Sequence, residues 1–380
     1  MSHSAASSDG SFVGESSGKK PIESASSSSY SSSLEPLYDE IAVNCFARVP
    51  RCYYPAISLV SRNFRRLIAS PDIYIERSVI RRTENVLYVA IRSQDTKALS
   101  WYTLNLKPFG TTELSHRLVP VPSFPSIPSS GASIISAGSE IYVIGGCING
   151  EPISIVSVID CRSHTSTFLP NMKEPRNCAA VGFIDGKLYV VGGCNTQSIN
   201  RVEAFNFKTR TWESLPSLCD EDIDLHGKTS SSVVMNGMIY GYGDRSSFVY
   251  DPEEGRIGRD LLLVSSWMMK GRCVIDNMFY AFFRLRDNMV VYDLSVRKWG
   301  LLLGLQDLRE VYEGCTMVNL GGRLAILFVD LTKCPAEIWC TEIALERAEE
   351  GFVNGRLLWS NHVLTLTGPF IIEQALSVTV

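Results

Sequence analysis

Two stretches of this chain, residues 138–150 and 184–196, share one pattern that restricts the fold more than any other feature. In each, a hydrophobic residue and a tyrosine precede two apolar residues, a Gly-Gly pair and a cysteine. The tyrosines, Tyr142 and Tyr189, lie 47 residues apart. Alternating β-branched and aromatic residues predict a buried strand, and the glycines predict a sharp turn or a close backbone approach. Repetition at this period is typical of β-propeller blades, and two unrelated hairpins in a sandwich are the alternative.

The pattern continues along the chain with increasing departures. Hydrophobic-tyrosine pairs recur at 87–88, 239–240 and 279–280, and the apolar stretch 324–328 keeps the strand without the tyrosine. The second half of the unit, a strand, a polar turn and a further strand that often opens with Trp, recurs at 156–170, 202–216 and 290–304. The Gly-Gly pair is split at 241–243 and absent at 281–283. The repeated pattern therefore predicts several four-stranded blades.

A Gly-Gly pair after a strand, a tyrosine three residues before it and a later tryptophan resemble the kelch repeat, which implies a kelch-type β-propeller. Six strands carry the hydrophobic-tyrosine pattern or its apolar equivalent. Five of them follow another apolar strand, the inner strand of the blade, but the first, Val86–Ile91, follows a helical stretch. The C-terminal segment Ala375–Val380 is an apolar strand without a partner. If it lies inside the first blade, the ring closes and loses its open edges. We therefore expect an all-β, six-bladed propeller over residues 83–380.

Two different segments precede the propeller. Residues 1–33 are rich in serine and poor in bulky apolar side chains, which predicts a disordered tail. A plastid transit peptide is the alternative, disfavoured by Asp9, Glu15 and Glu23 and by the lack of arginine. Residues 34–82 have apolar residues at helical spacing and prolines at positions that begin or end helices, and they predict a small all-α domain of three short helices.

The helical domain permits more than one interpretation. Its sequence ARVPRCYYPAISLVSRNFRRLIAS resembles the F-box of plant F-box proteins that carry kelch repeats, in the same domain order. A capping subdomain for the propeller is the structural alternative. The arginines of this segment permit a nucleic-acid surface, although solvated helix faces are the commoner explanation, and the net charge of −4 gives the whole chain no polyelectrolyte character. We expect no nucleic-acid partner.

The F-box resemblance implies a surface that binds a SKP-type adaptor and, through it, a cullin. The family pattern has a proline directly after the first leucine, but this chain has Tyr38 there, and its nearest proline is Pro36. This departure is expected to weaken the edge of the docking site. The positions implied for adaptor binding are Leu37, Tyr38, Ile41, Val49, Pro50, Leu59, Val60 and Phe64.

The eleven cysteines lack the close spacing of a metal site, which favours free thiols in a reducing compartment. Cys147 and Cys194 occupy equivalent repeat positions and are expected to be small buried residues. No apolar run approaches the roughly 18 residues that span a membrane. We therefore expect an intracellular protein of the cytoplasm or nucleus, without a membrane partner; the sequence does not choose between the two compartments.

Catalysis is disfavoured. The five histidines are widely spread, and His116 and His226 alone make a poor metal site. The acidic loop at 220–224 lacks the spacing of an EF-hand. No nucleophile elbow, phosphate-binding glycine loop or zinc-protease motif is present. We expect no cofactor, no metal and no enzymatic activity, with a propeller oxidoreductase as a weaker alternative.

The resulting prediction is a substrate-recognition subunit of an SCF-type ubiquitin ligase, in which the propeller binds a target protein that the sequence does not name. The alternative is a kelch scaffold that has lost ligase recruitment through Tyr38. Target binding is expected on the target rim, meaning the loops after the tyrosine strands and the loops that enter inner strands. Arginines on these loops favour an acidic or mixed-charge target segment. The rim residues are Arg176, Asn195, Asp244, Arg245, Arg284, Arg286 and Asp287.

Overall fold

The computed structural model describes most of the chain after residue 34. The described residues are 35–107, 115–124, 130–195, 197–219, 223, 225, 229–243, 247–259, 269–283, 288–305, 315–330, 332–348 and 352–380. The serine-rich segment 1–33 and the acidic loop residues 220–222 and 224 lie outside them. Backbone contacts divide the chain into two compact units, residues 1–42 and residues 43–380.

Helices come first in the described chain. They are α1 Glu35–Ala47, a 3-10 turn Arg51–Tyr53, α2 Tyr54–Val60, α3 Arg62–Ile68 and α4 Pro71–Val79. Ser61 separates α2 from α3 because its backbone is extended and its side chain accepts from the amide of Phe64. Ser70 caps α4 in the same way, with Pro71 at the first helical position. The helical prediction is therefore correct in kind, but α4 is a fourth α-helix that the periodicity did not separate.

Strands follow, in antiparallel groups of four. The first sheet has β1 Asn85–Ser93, β2 Leu99–Lys107, β3 Ser115–Pro120 and the C-terminal β27 Phe370–Thr379. The second has β4 Ser133–Ala137, β5 Glu140–Ile144, β8 Val156–Asp160 and β9 Thr165–Phe168, with a small ribbon of β6 Cys147–Ile148 and β7 Glu151–Pro152. The third has β10 Ala180–Ile184, β11 Lys187–Val191, β12 Val202–Asn206 and β13 Thr211–Ser214.

The later sheets carry extra pairings at their outer edges. In the fourth sheet, β15 Thr229–Met235, β16 Met238–Gly243, β17 Ser247–Asp251 and β18 Arg256–Gly258 are joined by a parallel β14 Leu218–Cys219. The last sheet has β19 Met269–Ile275, β20 Met278–Phe283, β21 Asn288–Asp293, β22 Lys298–Leu303, β23 Thr316–Leu320, β24 Arg323–Asp330, β25 Ala336–Arg347 and β26 Val353–Leu366. A short parallel pairing of β22 with β26 unites these eight strands. The chain thus has helices followed by a many-stranded, β-propeller-like fold.

The C-terminal strand pairs where the sequence predicts. β27 runs antiparallel to β1, with Val86 opposite Val378 and Tyr88 opposite Leu376. The pairing has one irregularity, between Ala90 and Ile91. Strand β27 therefore occupies the inner position beside β1, and the predicted pairing is confirmed. We call β27 the closing strand.

Each sheet packs face to face on the next one, and the strands β23–β26 pack on the first sheet. Leu87 and Val89 of β1 share one buried cluster with Leu327 of β24 and Ile338 of β25. The Gly-Gly pairs sit where backbones approach: a Cβ added to Gly145, which has φ +59°, would lie 2.3 Å from the carbonyl oxygen of Arg176. Cys147 and Cys194 are buried, as expected from their repeat positions.

Candidate functional site

The end of α2 exposes two adjacent aliphatic side chains. Leu59 is 77% exposed and Val60 is 69% exposed. Helix α2 has only seven residues, and the extended backbone at Ser61 stops it directly after this pair. Two neighbouring branched side chains are therefore left in water as a small apolar patch. We call Leu59 and Val60 the α2 patch.

Buried contacts on the opposite side hold α2 in place. Tyr54 is buried, and its hydroxyl donates to the carbonyl oxygen of Phe46 at 3.2 Å. The ring of Phe46 packs edge-on against Phe64 with centroids 4.8 Å apart. Ile57 packs against the buried cluster that contains Tyr54. The aliphatic side chains of α2 therefore divide into Ile57, which packs inward, and the exposed patch.

The structure separates the predicted adaptor-binding residues into groups. Pro50, Leu59 and Val60 are exposed, whereas Val49 and Phe64 are half-buried and pack inward. Val49 and Phe64 are thus placed to support the helices from inside. In the first compact unit, Tyr38 and Ile41 of α1 are exposed; Leu37 lies in the same helix, but its side chain is outside the described part.

On the target rim, Arg176 requires a correction. Its side chain is 0% exposed and forms an ion pair of 2.8 Å with Glu203, whose side chain is equally buried. The guanidinium also donates to the carbonyl oxygens of Gly192, Asn200 and Arg201, at 2.7, 2.8 and 3.1 Å. The carboxylate of Glu203 accepts from the amides of Lys173 and Glu174. Arg176 therefore links two loops from inside and presents no charge to a partner; an arginine in a loop sequence does not reveal this burial.

Of the remaining rim residues, the described part of the chain contains only Asn195, which is exposed. The loop that contains it also exposes Ile199, at 95% of its surface. The corresponding loop after β5 exposes Ile148 and Ile155. These isoleucines were absent from the predicted rim because its residues were selected for charged and amide side chains. The other predicted rim residues, outside the described part, are Asp244, Arg245, Arg284, Arg286 and Asp287.

Burial shifts the acid–base chemistry of one histidine and two cysteine thiols. His116 is buried, its ring stacks on Trp359 at 3.7 Å, and burial lowers its pKa; His226 lies outside the described part. Burial raises the pKa of the Cys161 thiol and of the Cys273 thiol to about 12, so both are poor nucleophiles at neutral pH. Within the described ranges, no three His, Cys, Asp or Glu side chains are grouped to hold a metal ion.

None of the helices in the described ranges has the length and apolar composition needed to cross a membrane.

Comparisons with known proteins find matches for both the helical part and the stranded part of the chain. A family model for the F-box domain matches residues 34–76, and a second, described as FKB95, Kelch-repeats domain, matches residues 101–364. F-box/kelch-repeat protein At4g14905 of Arabidopsis thaliana is 66% identical and covers 100% of both chains. Two other Arabidopsis thaliana F-box/kelch-repeat proteins, At4g39240 and At4g38940, are 53% and 40% identical over 93% and 90% of this chain, and 93% of each relative is covered.

Proposed function

Because this chain belongs to the F-box/kelch-repeat protein family, we propose that it is the substrate-recognition subunit of an SCF-type ubiquitin ligase. The F-box helices bind a SKP-type adaptor, which connects the chain to a cullin. The propeller binds a target protein, and a separate enzyme carries the ubiquitin. The contribution of this chain to the reaction is proximity, since holding the target near the ubiquitin carrier raises its effective concentration. The proposed role requires no catalytic group from this chain.

The architecture proposed for this role has three parts. These are a tail at 1–33, an F-box domain at 34–82 and a six-bladed kelch propeller at 83–380. The count of six is supported by the antiparallel pairings β19–β22 and β23–β26, since each run has the four strands of one blade. Only two residue pairs between β22 and β26, Leu302–Val353 and Leu303–Asn354, join these two runs, so we count each run as a separate blade.

The α2 patch carries the adaptor proposal. Leu59 and Val60 lie inside the segment matched by the F-box domain model, and both are more than two thirds exposed. Burying such a side chain contributes about 1.5–3 kcal/mol. A partner that covers both therefore gains enough free energy for a large change in affinity. Exposure of this pair on a helix whose other face is packed is the observation that most supports docking here.

Adaptor affinity of alanine variants tests this proposal. We expect Leu59→Ala combined with Val60→Ala to weaken binding of a purified SKP-type adaptor by roughly 100-fold or more, measured by calorimetry. Pro50→Ala with Leu59→Ala is expected to abolish co-precipitation. Val79→Ala in α4 is the matched control, because Val79 is 71% exposed but lies beyond the F-box match. Wild-type affinity in the α2 double variant would remove the docking assignment.

The scaffold alternative has its own outcome in this experiment. A wild-type chain that binds no adaptor, while Tyr38→Pro restores binding, would show that the departure at Tyr38 has cost the chain its ligase recruitment. If wild type binds and Tyr38→Pro strengthens binding, the weakened docking edge is correct and the ligase role stands.

For the target, we propose the rim residues Asn195, Asp244, Arg245, Arg284, Arg286 and Asp287. Changing Arg245, Arg284 and Arg286 together to Ala is expected to abolish target capture in proximity labelling and to leave adaptor affinity and thermal stability unchanged. Equal recovery of targets by this triple variant would assign target binding to another face. We also propose an intracellular location, supported by eleven cysteines that are thiols and not disulfides.

A further inference from the structure

Arg77 of α4 connects the helices from inside. Its side chain is 1% exposed. One guanidinium nitrogen donates to the carbonyl oxygen of Val49 at 2.9 Å and to the hydroxyl of Tyr54 at 3.0 Å, and it lies 3.3 Å from the carbonyl oxygen of Ala47. Ala47 ends α1 and Tyr54 begins α2. Because the last carbonyls of a helix have no partners within the helix, a buried guanidinium that binds them fixes the path of the chain there.

The other guanidinium nitrogen of Arg77 binds the carboxylate of Glu84, just before β1. The same carboxylate accepts from the amide of Arg51, where the 3-10 turn begins, at 3.1 Å. The turn between α4 and β1 is short, and Arg81 within it has a left-handed backbone with φ 55°. The side chain of Glu84 therefore points back to the helices that the chain has just left.

The backbone of Glu84 makes a different connection. Its amide donates to the carbonyl oxygen of Val380 at 2.7 Å, and its carbonyl oxygen accepts from the amide of Val380 at 2.9 Å. Val380 directly follows the closing strand, and its neighbour Thr379 donates from its amide to Gly138 between β4 and β5. Glu84 thus binds the end of the closing strand through its backbone and the helices through its carboxylate.

A continuous hydrophobic cluster surrounds this connection. It contains Ala47, Tyr54, Ile73 and Tyr74 from the helical segment together with Tyr88, Ile141, Leu376, Val378 and Val380 from the strands. Burial is nearly complete for these side chains, so the helices after residue 43 and the end of the closing strand share one core. A loosely linked helical domain does not have such a shared core.

We infer that Glu84 couples closure of the propeller to the order of the adaptor-docking helices. Loss of its charge leaves the buried guanidinium of Arg77 without its anion, which disfavours the packed arrangement of α1, α2 and α4. It also loosens the residue that pairs with Val380. The helices and the end of the closing strand are therefore expected to open together. This coupling concerns the free chain and holds with or without an adaptor.

Hydrogen exchange of the full-length chain, read by mass spectrometry without adaptor, tests this inference. Glu84→Gln keeps the size of the side chain and removes its charge. We expect amides in peptides covering residues 44–60 and residues 374–380 both to exchange roughly tenfold faster or more, since hydrogen bonds to charged groups contribute strongly to local stability. Arg77→Lys, which removes the planar fork from the same ion pair, is expected to accelerate both peptides as well.

Glu373→Gln is the matched control. Glu373 lies in the closing strand and forms an ion pair of 2.7 Å with Arg92 of β1. This variant is expected to accelerate exchange at the start of the closing strand, where Ile371 pairs with Arg92, and to leave residues 374–380 and residues 44–60 at the wild-type rate. Peptides of β10–β13 should keep wild-type protection in all variants, which shows that the chain is folded.

Two outcomes overturn the inference. One is faster exchange in only one of the two regions for both Glu84→Gln and Arg77→Lys. The other is acceleration of residues 44–60 by Glu373→Gln as large as that by Glu84→Gln, because loss of a carboxylate that does not bind the helices would then open them just as far. If Glu84→Gln does not fold, the comparison of Arg77→Lys with Glu373→Gln decides alone. This test does not measure adaptor binding. Its result therefore does not depend on whether the adaptor-docking proposal is correct.

Discussion

The sheet β10–β13 and the sheet that contains the closing strand are alike in strand count and differ in how the chain completes them. The strands β10–β13 follow one another along residues 180–214 and are joined by short connections. The first sheet needs β27, which is paired with β1 from the opposite end of the chain. A sheet whose strands are consecutive in sequence can form locally. The sheet that contains the closing strand, which we call the composite sheet, can form only after a loop of nearly the whole propeller has closed.

Each of these sheets is associated with an Arg–Glu pair, and the surroundings of the two pairs differ. Arg176 and Glu203 are both 0% exposed at the side chain, and every contact lies within about thirty residues of chain. Arg92 and Glu373 are 8% and 24% exposed and are 281 residues apart in sequence. The local pair therefore depends on burial, while the distant pair depends on closure of the chain. This contrast predicts how strongly different changes to the chain reduce its stability.

Removal of the closing strand is expected to have the largest effect. Deletion of Ala375–Val380 exposes the inner edge of β1 and removes Leu376, Val378 and Val380 from the core shared with the helices. We expect loss of the cooperative thermal transition and aggregation, measured by calorimetry and light scattering. Ser377→Ala, which keeps the strand, is the control. A truncated chain that melts within a few degrees of full length would show that closure contributes little.

Breaking the buried pair comes next. Arg176→Met leaves the carboxylate of Glu203 buried without its cation and is expected to lower the free energy of unfolding by about 3–5 kcal/mol. Arg92→Met is the matched variant in the composite sheet, and a smaller loss is expected because Glu373 is partly solvated. Urea unfolding of both variants makes the comparison. Equal losses would show that burial does not distinguish the two pairs.

The smallest expected effect is a pH dependence at the contact between β3 and β26. Burial lowers the pKa of His116 below its usual value, although nearby Glu342 raises it in part. The unfolded chain therefore binds the proton more readily than the folded chain. Stability from this group is complete above the unfolded pKa of about 6.5 and falls as the pH decreases through that value toward the folded pKa.

The drop in melting temperature between pH 7.5 and pH 5.5 measures this effect. We expect His116→Phe, which keeps a ring against Trp359, to show a smaller drop than wild type. His164 is the internal reference, because burial lowers its pKa too and its contribution remains in the variant. An identical drop in both proteins would mean that His116 titrates normally in the folded chain.

The repeat pattern predicted much of this fold because strands and turns depend on neighbouring residues. Alternation around Tyr142 and Tyr189 placed β5 and β11, and the orphan apolar segment at the C-terminus placed β27 beside β1. The α2 patch was also predictable, through the F-box resemblance at Leu59 and Val60. In the predicted target rim, the assignment of Arg176 is wrong because this residue is buried, and the rim residues outside the described part stay predictions.

By itself, the sequence determined the order of helices and strands and the partner of the last strand. The order of the elements depends on periodicity, proline positions and glycine conformations, which act within a few residues, and the pairing of β27 with β1 follows because each was the strand left without a partner. Only the tertiary structure decided that Arg176 faces Glu203 and that Glu84 binds both the helices and Val380. Those assignments depend on which charged side chains come together after distant segments pack. The local sequence pattern does not contain that information.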